Sequence, residues 1–99
     1  MLEVILSNKF KKDWKIIKKR GYDLKKFEVV LEKLLRQEIL EEKYKDHELI
    51  GNYKGHRECH ITPDWLLIYY ISDTKLVLTL TRTGTHSDLF WIFKFIECK

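Results

Sequence analysis

Residues 65–71 are the stretch that most constrains the fold of this 99-residue chain, because they are continuously apolar or aromatic. Such a run is typical of a central strand that is buried on both of its faces. Strand-like segments flank it at residues 57–62 and 76–83, and residues 72–75 form a hairpin connection to the second of these. The second half of the chain is therefore predicted to form a small, twisted antiparallel sheet.

The first half of the chain is predicted to supply a short apolar strand and then two helices. Ser7 or Asn8 can cap the first helix, and Gly21 stands where a left-handed residue would end it. Asp23 can cap the second helix, whose apolar periodicity continues to about residue 40. Because only a few residues join the two helices, we expect them to form an antiparallel helical hairpin.

The order of these elements indicates a single α+β domain over residues 1–99, with the two helices packed on the sheet. Nineteen Lys and Arg exceed fifteen Asp and Glu, and a formal charge of +4 favours a polyanionic partner. The sequence shows no signal peptide and no run approaching the roughly 20 apolar residues that span a bilayer. Two cysteines do not make a disulfide framework. We expect a soluble, cytoplasmic protein that does not bind membranes.

Side chains suited to proton transfer and phosphate binding occur in two stretches around the predicted hairpin. His60 and Asp64 lie in the first, and Arg82 and His86 lie on either side of Gly84 in the second. Imidazoles exchange protons near neutral pH and a guanidinium binds phosphate, as metal-free cleavage of a phosphodiester requires. The alternatives are a structural strand histidine, an aspartate that bonds its own turn, and a basic surface loop.

Strand parity assigns faces to some of these residues and raises a question about Arg82. Alternation over residues 57–62 places Glu58 and His60 on one face and Cys59, a small buried hydrophobe, on the other. Arg82 is in phase with the apolar residues of the strand over residues 76–83. Either that strand ends or bulges before Arg82, or the residue lies at the rim of the apolar face.

His47 lies in an irregular segment, residues 41–55, where only Leu49 and Ile50 favour a short extended piece. It could reach over the sheet or remain a solvated loop histidine. Possible metal ligands are His56, Cys59, His60, His86 and Cys98. Their spacing matches no common zinc pattern, so we expect neither a metal nor another cofactor.

Taken in order, several motifs resemble the YafQ group of the RelE superfamily, the toxins of bacterial toxin–antitoxin pairs. They are YKDH at 44–47, Leu49 with Gly51, YKG at 53–55, RECHITPDW at 57–65, LIY at 67–69 and RTGTHSDLF at 82–90. The resemblance implies an endoribonuclease that cuts messenger RNA in the ribosomal A site and is neutralised by a cognate antitoxin. Two alternatives share the fold: a module that binds RNA or the ribosome without cutting, and a co-repressor that acts with the antitoxin.

The resemblance also implies roles for individual residues in metal-independent attack by the 2′-OH group. His86 is assigned as the general acid, and His60 or Asp64 as the base. His47 would position the substrate or share in proton transfer, and Arg82 would bind the scissile phosphate.

Further residues are implied to contact RNA. Trp65 and Phe90 would shape the groove and stack on bases, while Lys54, Arg57 and the basic face of the first helix would contact ribosomal RNA. The apolar tail at residues 91–99 extends beyond the family pattern. We expect it to pack against the core, the antitoxin or the groove.

Overall fold

Two N-terminal helices pack on one face of a five-stranded sheet in the computed structural model, which describes residues 1–72 and 74–90. The elements are β1 (Glu3–Leu6), α1 (Asn8–Lys19), α2 (Leu24–Leu35), β2 (His47–Glu48), β3 (Arg57–Thr62), β4 (Trp65–Ser72), β5 (Val77–Gly84) and α3 (His86–Phe90). Two short 3-10 helices, Glu42–Tyr44 and Gly51–Tyr53, flank β2. The predicted α+β fold, with its two helices before the main sheet, is confirmed.

The sheet has the strand order β1-β5-β4-β3-β2. The four strands from β5 to β2 pair antiparallel, as predicted, but β1 pairs parallel with β5, so the sheet is mixed. Glu3 lies opposite Val77 in this parallel pair. Local patterns show that residues 3–6 favour a strand, but they do not show which distant strand will be its neighbour.

The predicted helix ends are confirmed by hydrogen bonds and backbone angles. The Ser7 Oγ atom accepts a bond from the Phe10 amide at 2.9 Å, and an Asp23 carboxylate oxygen accepts one from the Lys25 amide at 3.1 Å. Gly21 follows α1 with φ of 73°, a left-handed conformation that glycine adopts without steric cost. The sequence therefore predicts both starts and the first stop.

Two boundaries differ from the prediction. α2 ends at Leu35, before residue 40, because Gln37 has a left-handed φ of 57° and turns the chain away. Leu40 is nevertheless buried, so its apolar character reflects a loop that packs on the core. In the next segment the strand is His47–Glu48, paired with β3, and not the expected piece at residues 49–50.

β4 is buried on both faces, as its apolar run predicts. Trp65 and Leu67 belong to the large core between the sheet and the helices, whereas Leu66 and Ile68 belong to a smaller apolar cluster on the opposite face. The loop before β3 and the short α3 cover this second face. The sheet therefore has one face closed by helices and one that is only partly covered.

The predicted apolar tail at residues 91–99, including Cys98, lies outside the described residues. Among the residues that the structure does describe, no helix is long and apolar enough to cross a bilayer.

Candidate functional site

A buried carboxylate lies between two histidines on the sheet face that points away from α1 and α2. Glu58 of β3 lies directly opposite His47 of β2, and His60 follows two residues later on the same face. The Glu58 Oε1 atom is 3.5 Å from Nε2 of His47 and 3.7 Å from Nε2 of His60. The two imidazole centroids are 6.4 Å apart. Two proton-exchanging groups are thus coupled through one acid.

Glu58 is the functional candidate that sequence reasoning missed. Its side chain is 0% exposed, and a buried carboxylate is costly unless partners stabilise it. Strand alternation did place Glu58 on the face of His60. The prediction put the neighbouring strand two residues too late, however, and therefore did not bring His47 opposite this carboxylate.

The surroundings of His60 favour its neutral form. Burial lowers the pKa of the imidazole below its ordinary value near 6.5, while Glu58 and a hydrogen bond with the Pro63 backbone oppose this change without cancelling it. His47 is oriented differently: its Nδ1 atom lies 2.7 Å from the Lys45 carbonyl oxygen and donates to it. The Nε2 atom of His47 is therefore the nitrogen that can exchange a proton at the site.

A β-bulge in β5 decides which face Arg82 occupies. Ile68 is paired with Arg82, but the next residue, Tyr69, is paired with Leu80, which leaves Thr81 as an extra residue. Leu80 faces the helices, whereas Arg82 shares the face of Ile68. Of the alternatives that parity left open, the bulge before Arg82 is confirmed.

The guanidinium of Arg82 is held from α1. Its Nε and Nη2 atoms donate to the two carboxylate oxygens of Asp13 at 2.7 and 2.9 Å, and the Thr83 amide donates to the same carboxylate at 3.1 Å. This hydrogen-bonded ion pair raises the pKa of Arg82. Nη1 and the second hydrogen of Nη2 are not used by Asp13, although the Tyr53 side chain also interacts with the guanidinium. A phosphate that binds this edge shares or replaces the Tyr53 contact.

His86 opens α3 and is held by a capping box. The Asp88 amide donates to Thr85 Oγ1 at 3.1 Å, and the Thr85 amide donates to Asp88 Oδ2 at 2.8 Å. Arg20, which follows α1, binds both oxygens of Asp88, at 2.6 and 3.0 Å. These bonds lower the pKa of Asp88 to about 2. The turn that carries His86 is therefore tied to the end of α1.

The two predicted stacking residues are both buried. Trp65 is 2% exposed on the helix side of the sheet, and its indole donates to Thr83 Oγ1 at 2.8 Å. The expectation that Trp65 stacks on RNA bases is corrected, because its ring lies in the core. Phe90 is also 2% exposed and packs between Tyr53 and His86, with centroid distances of 5.9 and 5.7 Å. It can shape the groove but does not present an open ring face.

The remaining predicted residues lie away from the carboxylate. Asp64 is exposed in the turn between β3 and β4, and no bond joins it to an imidazole within the described ranges. Lys54 is exposed after the second 3-10 helix. Arg57 lies opposite Tyr69 on the helix side, where its Nη2 atom is 3.1 Å from Asp46 Oδ2.

A family model for the YafQ toxin, a bacterial toxin of type II toxin–antitoxin systems, matches residues 2–91. The chain belongs to the YafQ family. It is 39% identical over 89 residues to the mRNA interferase toxin YafQ of Escherichia coli strain K12, which covers 89% of this chain and 95% of that protein. The predicted family is confirmed by this match.

Solved structures of bacterial toxins have the same fold as this chain. A metal-bound toxin from Helicobacter pylori has a TM-score of 0.85 at 48% identity, covering 91% of this chain and 100% of that one. The E. coli DinJ–YafQ complex has a TM-score of 0.82 at 38% identity, covering 91% and 99%.

Whether this chain's own residues fit a metal can be judged from its side chains. Within residues 1–72 and 74–90, no three His, Cys, Asp or Glu side chains come together in a metal-binding arrangement. Cys59 is buried in the core, and burial raises the pKa of its thiol, which opposes the thiolate form that metals bind.

Proposed function

We propose that this chain is a ribosome-dependent endoribonuclease toxin that cuts messenger RNA in the ribosomal A site. The observation that carries the proposal is the arrangement of His47 and His60 around buried Glu58, on the same sheet face as Arg82. The E. coli relative is an mRNA interferase toxin, and the E. coli DinJ–YafQ structure is a complex of YafQ with DinJ. We infer that a cognate antitoxin neutralises this chain, which acts in the cytoplasm, where ribosomes translate.

The first step needs a base for the ribose 2′-OH. We assign it to His60, whose lowered pKa keeps its imidazole neutral near pH 7. Once His60 holds the proton, the Glu58 carboxylate at 3.7 Å stabilises the imidazolium. His60 is favoured over Asp64, which has no such partner in the described structure. His47, on the other side of Glu58, is positioned to accept or share the proton.

The attack places additional negative charge on the phosphate and then expels the 5′ oxygen. Arg82 is assigned to the charged phosphate oxygens through the guanidinium edge that Asp13 leaves open. His86 is assigned as the acid that protonates the leaving 5′ oxygen. The 2′ oxygen bonds to phosphorus as the bond to the 5′ oxygen breaks, which yields a 2′,3′-cyclic phosphate and a 5′-OH end.

Cleavage can be tested in a purified translation reaction, followed by primer extension on the messenger RNA. We expect the wild-type chain to give cuts inside codons, and His86→Ala and Arg82→Ala to reduce them by about 100-fold or more. Ile39→Ala, at a fully exposed loop position, is the control and should cut like wild type.

Each alternative function has a distinct result in these assays. Translation arrest by the wild-type chain without a cleavage product would indicate binding without cutting and would overturn the proposal. Cuts on naked RNA at the same rate would overturn its ribosome dependence. If expression of the chain in bacteria does not arrest growth, a co-repressor function fits better than a toxin.

A further inference from the structure

A groove of about 810 Å³ opens beside Tyr70 and extends to the loop that contains Lys54. We call it the Tyr70 groove; its charged and aromatic lining residues are Glu48, Lys54, His56, Arg57 and Tyr70. Its volume lies within the range of small-molecule sites, which is about 300–1,000 Å³. None of the residues with a catalytic assignment lines this groove.

The groove includes residues of both sheet faces, and two of them, His56 and Tyr70, share the face of the candidate site. Strand alternation along β3 continues back from His60 through Glu58 to His56. On β4 the same alternation leads from Ile68 of the smaller apolar cluster to Tyr70. A strand of RNA that crosses this face can therefore pass both the imidazole pair and the Tyr70 groove.

Tyr70 has an accessible aromatic ring, whereas the rings of Trp65 and Phe90 are buried. Its relative exposure is 37%, compared with 2% for each of the other two. The ring of His56 contacts Tyr70 edge-on, at a centroid distance of 4.9 Å and an angle of 73°, and this contact restrains the tyrosine. A restrained, exposed aromatic ring is the usual platform for an unpaired RNA base.

Among its described residues, the groove has one exposed, unpaired cation for a phosphate, and the exposed carboxylate of Glu48 lines it as well. Lys54 is exposed, and in the described part of the chain no ion pair links it to an acid. Arg57 is less available because it pairs with Asp46 at 3.1 Å and lies 3.6 Å from Glu48. Lys54 is therefore the cation of the groove best placed to contact an RNA backbone.

A row of rings connects the groove to the proposed general acid. Successive centroid distances are 5.7 Å from His86 to Phe90, 5.9 Å from Phe90 to Tyr53, 5.8 Å from Tyr53 to His56 and 4.9 Å from His56 to Tyr70. The groove is thus at the far end of this row from His86.

We propose that the Tyr70 groove binds a flanking nucleotide of single-stranded RNA, an inference that rests on the proposed ribonuclease function. The base stacks on Tyr70, and Lys54 contacts the adjacent phosphate. The groove thus adds a nucleotide-binding subsite to the residues that are proposed to cleave RNA.

The test measures binding without cleavage. The probe is a fluorescein-labelled 2′-O-methyl oligoribonucleotide, which has no 2′-OH to attack, and the readout is fluorescence anisotropy with the full-length chain. Since stacking is lost when the ring is removed, Tyr70→Ala should raise the Kd about 5- to 100-fold, whereas Tyr70→Phe should stay within about twofold of wild type. Far-ultraviolet circular dichroism and thermal unfolding check that each variant folds.

Lysine variants test the phosphate contact separately. Lys54→Ala should reduce the slope of log binding constant against log salt by about 0.7, the contribution of one phosphate on a single strand. Lys25→Ala, an exposed lysine on α2, is the matched control and should leave the slope unchanged.

The outcomes separate this inference from the proposed function. Wild-type binding that Tyr70→Ala does not weaken, or no binding by wild type, would overturn the groove assignment even if cleavage on the ribosome is observed. An equal loss in Tyr70→Phe and Tyr70→Ala would exclude stacking. A Tyr70→Ala variant that binds the probe normally but loses the antitoxin would make the groove a protein interface instead. Binding that depends on Tyr70 without any cleavage would refute only the ribonuclease.

Discussion

At the scale of single residues, the site is organised by two acids that are not themselves proposed to touch RNA. Glu58 is placed between the imidazoles of His47 and His60, and Asp13 holds the guanidinium of Arg82. Both acids are buried, so each must be stabilised by its partners. A buried acid of this kind sets the protonation or the orientation of the group that acts.

The titration of His60 can be measured directly. Burial lowers the pKa of this imidazole and Glu58 partly offsets the change, so its midpoint should lie below 6.5. Glu58→Gln removes the opposing charge and should lower the midpoint further. The measurement is the ring proton shift by NMR between pH 4 and 8. A midpoint that stays unchanged in Glu58→Gln would show that the carboxylate does not act on His60.

The ion pair between Asp13 and Arg82 can be tested by a double-mutant cycle. The single variants are Asp13→Asn and Arg82→Gln, and the measured quantity is the free energy of unfolding in urea. Because the two side chains share two charged hydrogen bonds, we expect a coupling energy of about 1–3 kcal/mol. Additive effects, within about 0.5 kcal/mol, would mean that the pair contributes no coupling to the fold.

At the scale of elements, α1 aligns the segment that carries Arg82 and His86. The Ser7 cap of this helix also donates through Oγ to the carbonyl of Thr81, at 2.6 Å, in the bulge. Asp13, in the middle of the helix, binds Arg82, and Arg20, after its end, binds Asp88. One helix therefore holds the bulge, the guanidinium and the capping box.

The bond between Arg20 and Asp88 predicts a pH-dependent contribution to stability. Asp88 has its pKa lowered from 3.8 to about 2, so the contribution is present above pH 3.8 and is lost as the pH falls towards 2. Above pH 5, Asp88→Asn should lower the thermal midpoint by about 4–8 °C, corresponding to about 1 kcal/mol for a pair that is partly exposed.

The difference between wild type and Asp88→Asn should shrink as the pH falls towards 2 and should vanish below it, where Asp88 is protonated in the folded state. Arg20→Gln should show the same pH dependence, whereas Lys19→Gln, with the same change of charge, should not. A constant difference at all pH values would contradict the assignment to this ion pair.

The elements also show how far the sequence determines the fold. Caps and turns depend on neighbouring residues, so Ser7, Asp23 and Gly21 were predictable. The pairing of β1 with β5 and of His47 with Glu58 joins residues that are distant in the chain, and local patterns do not contain that information. The roles assigned by resemblance remain predictions, whereas the core position of Trp65 agrees with the buried strand that the apolar run over residues 65–71 predicts.

At the scale of the whole molecule, the sheet separates two functions. One face forms the main core with α1 and α2, and the other presents the imidazoles, Arg82 and the Tyr70 groove. The lysines of α1 are exposed on the outer side of the helix layer: Lys9, Lys11, Lys12, Lys15, Lys18 and Lys19. Ribosomal RNA is the polyanion that we propose for this basic surface.

The basic surface predicts a salt-dependent association with ribosomes. Lys12→Gln combined with Lys15→Gln should weaken co-sedimentation with ribosomes and reduce its salt slope by about 1.5, because two phosphate contacts are lost. The control is Lys25→Gln with Lys75→Gln, which changes the net charge equally outside α1. Equal slopes for the two pairs would indicate a general effect of charge and no α1 contact.

The bulge at Thr81 has a consequence for how the length of this chain can vary. Before Thr81, the even-numbered residues of β5 face the core. After it the odd-numbered residues do, so that Thr83 faces the helices and Arg82 faces outward. The bulge at Thr81 thus shifts the alternation of β5. The residues before it place leucines in the core, and the residues after it place Arg82 on the face of the candidate site. If Thr81 took a regular position in the strand, Arg82 would face the core and Thr83 would face outward. The bulge therefore matters more than the identity of Thr81, because a chain without this residue would keep both faces by simple alternation.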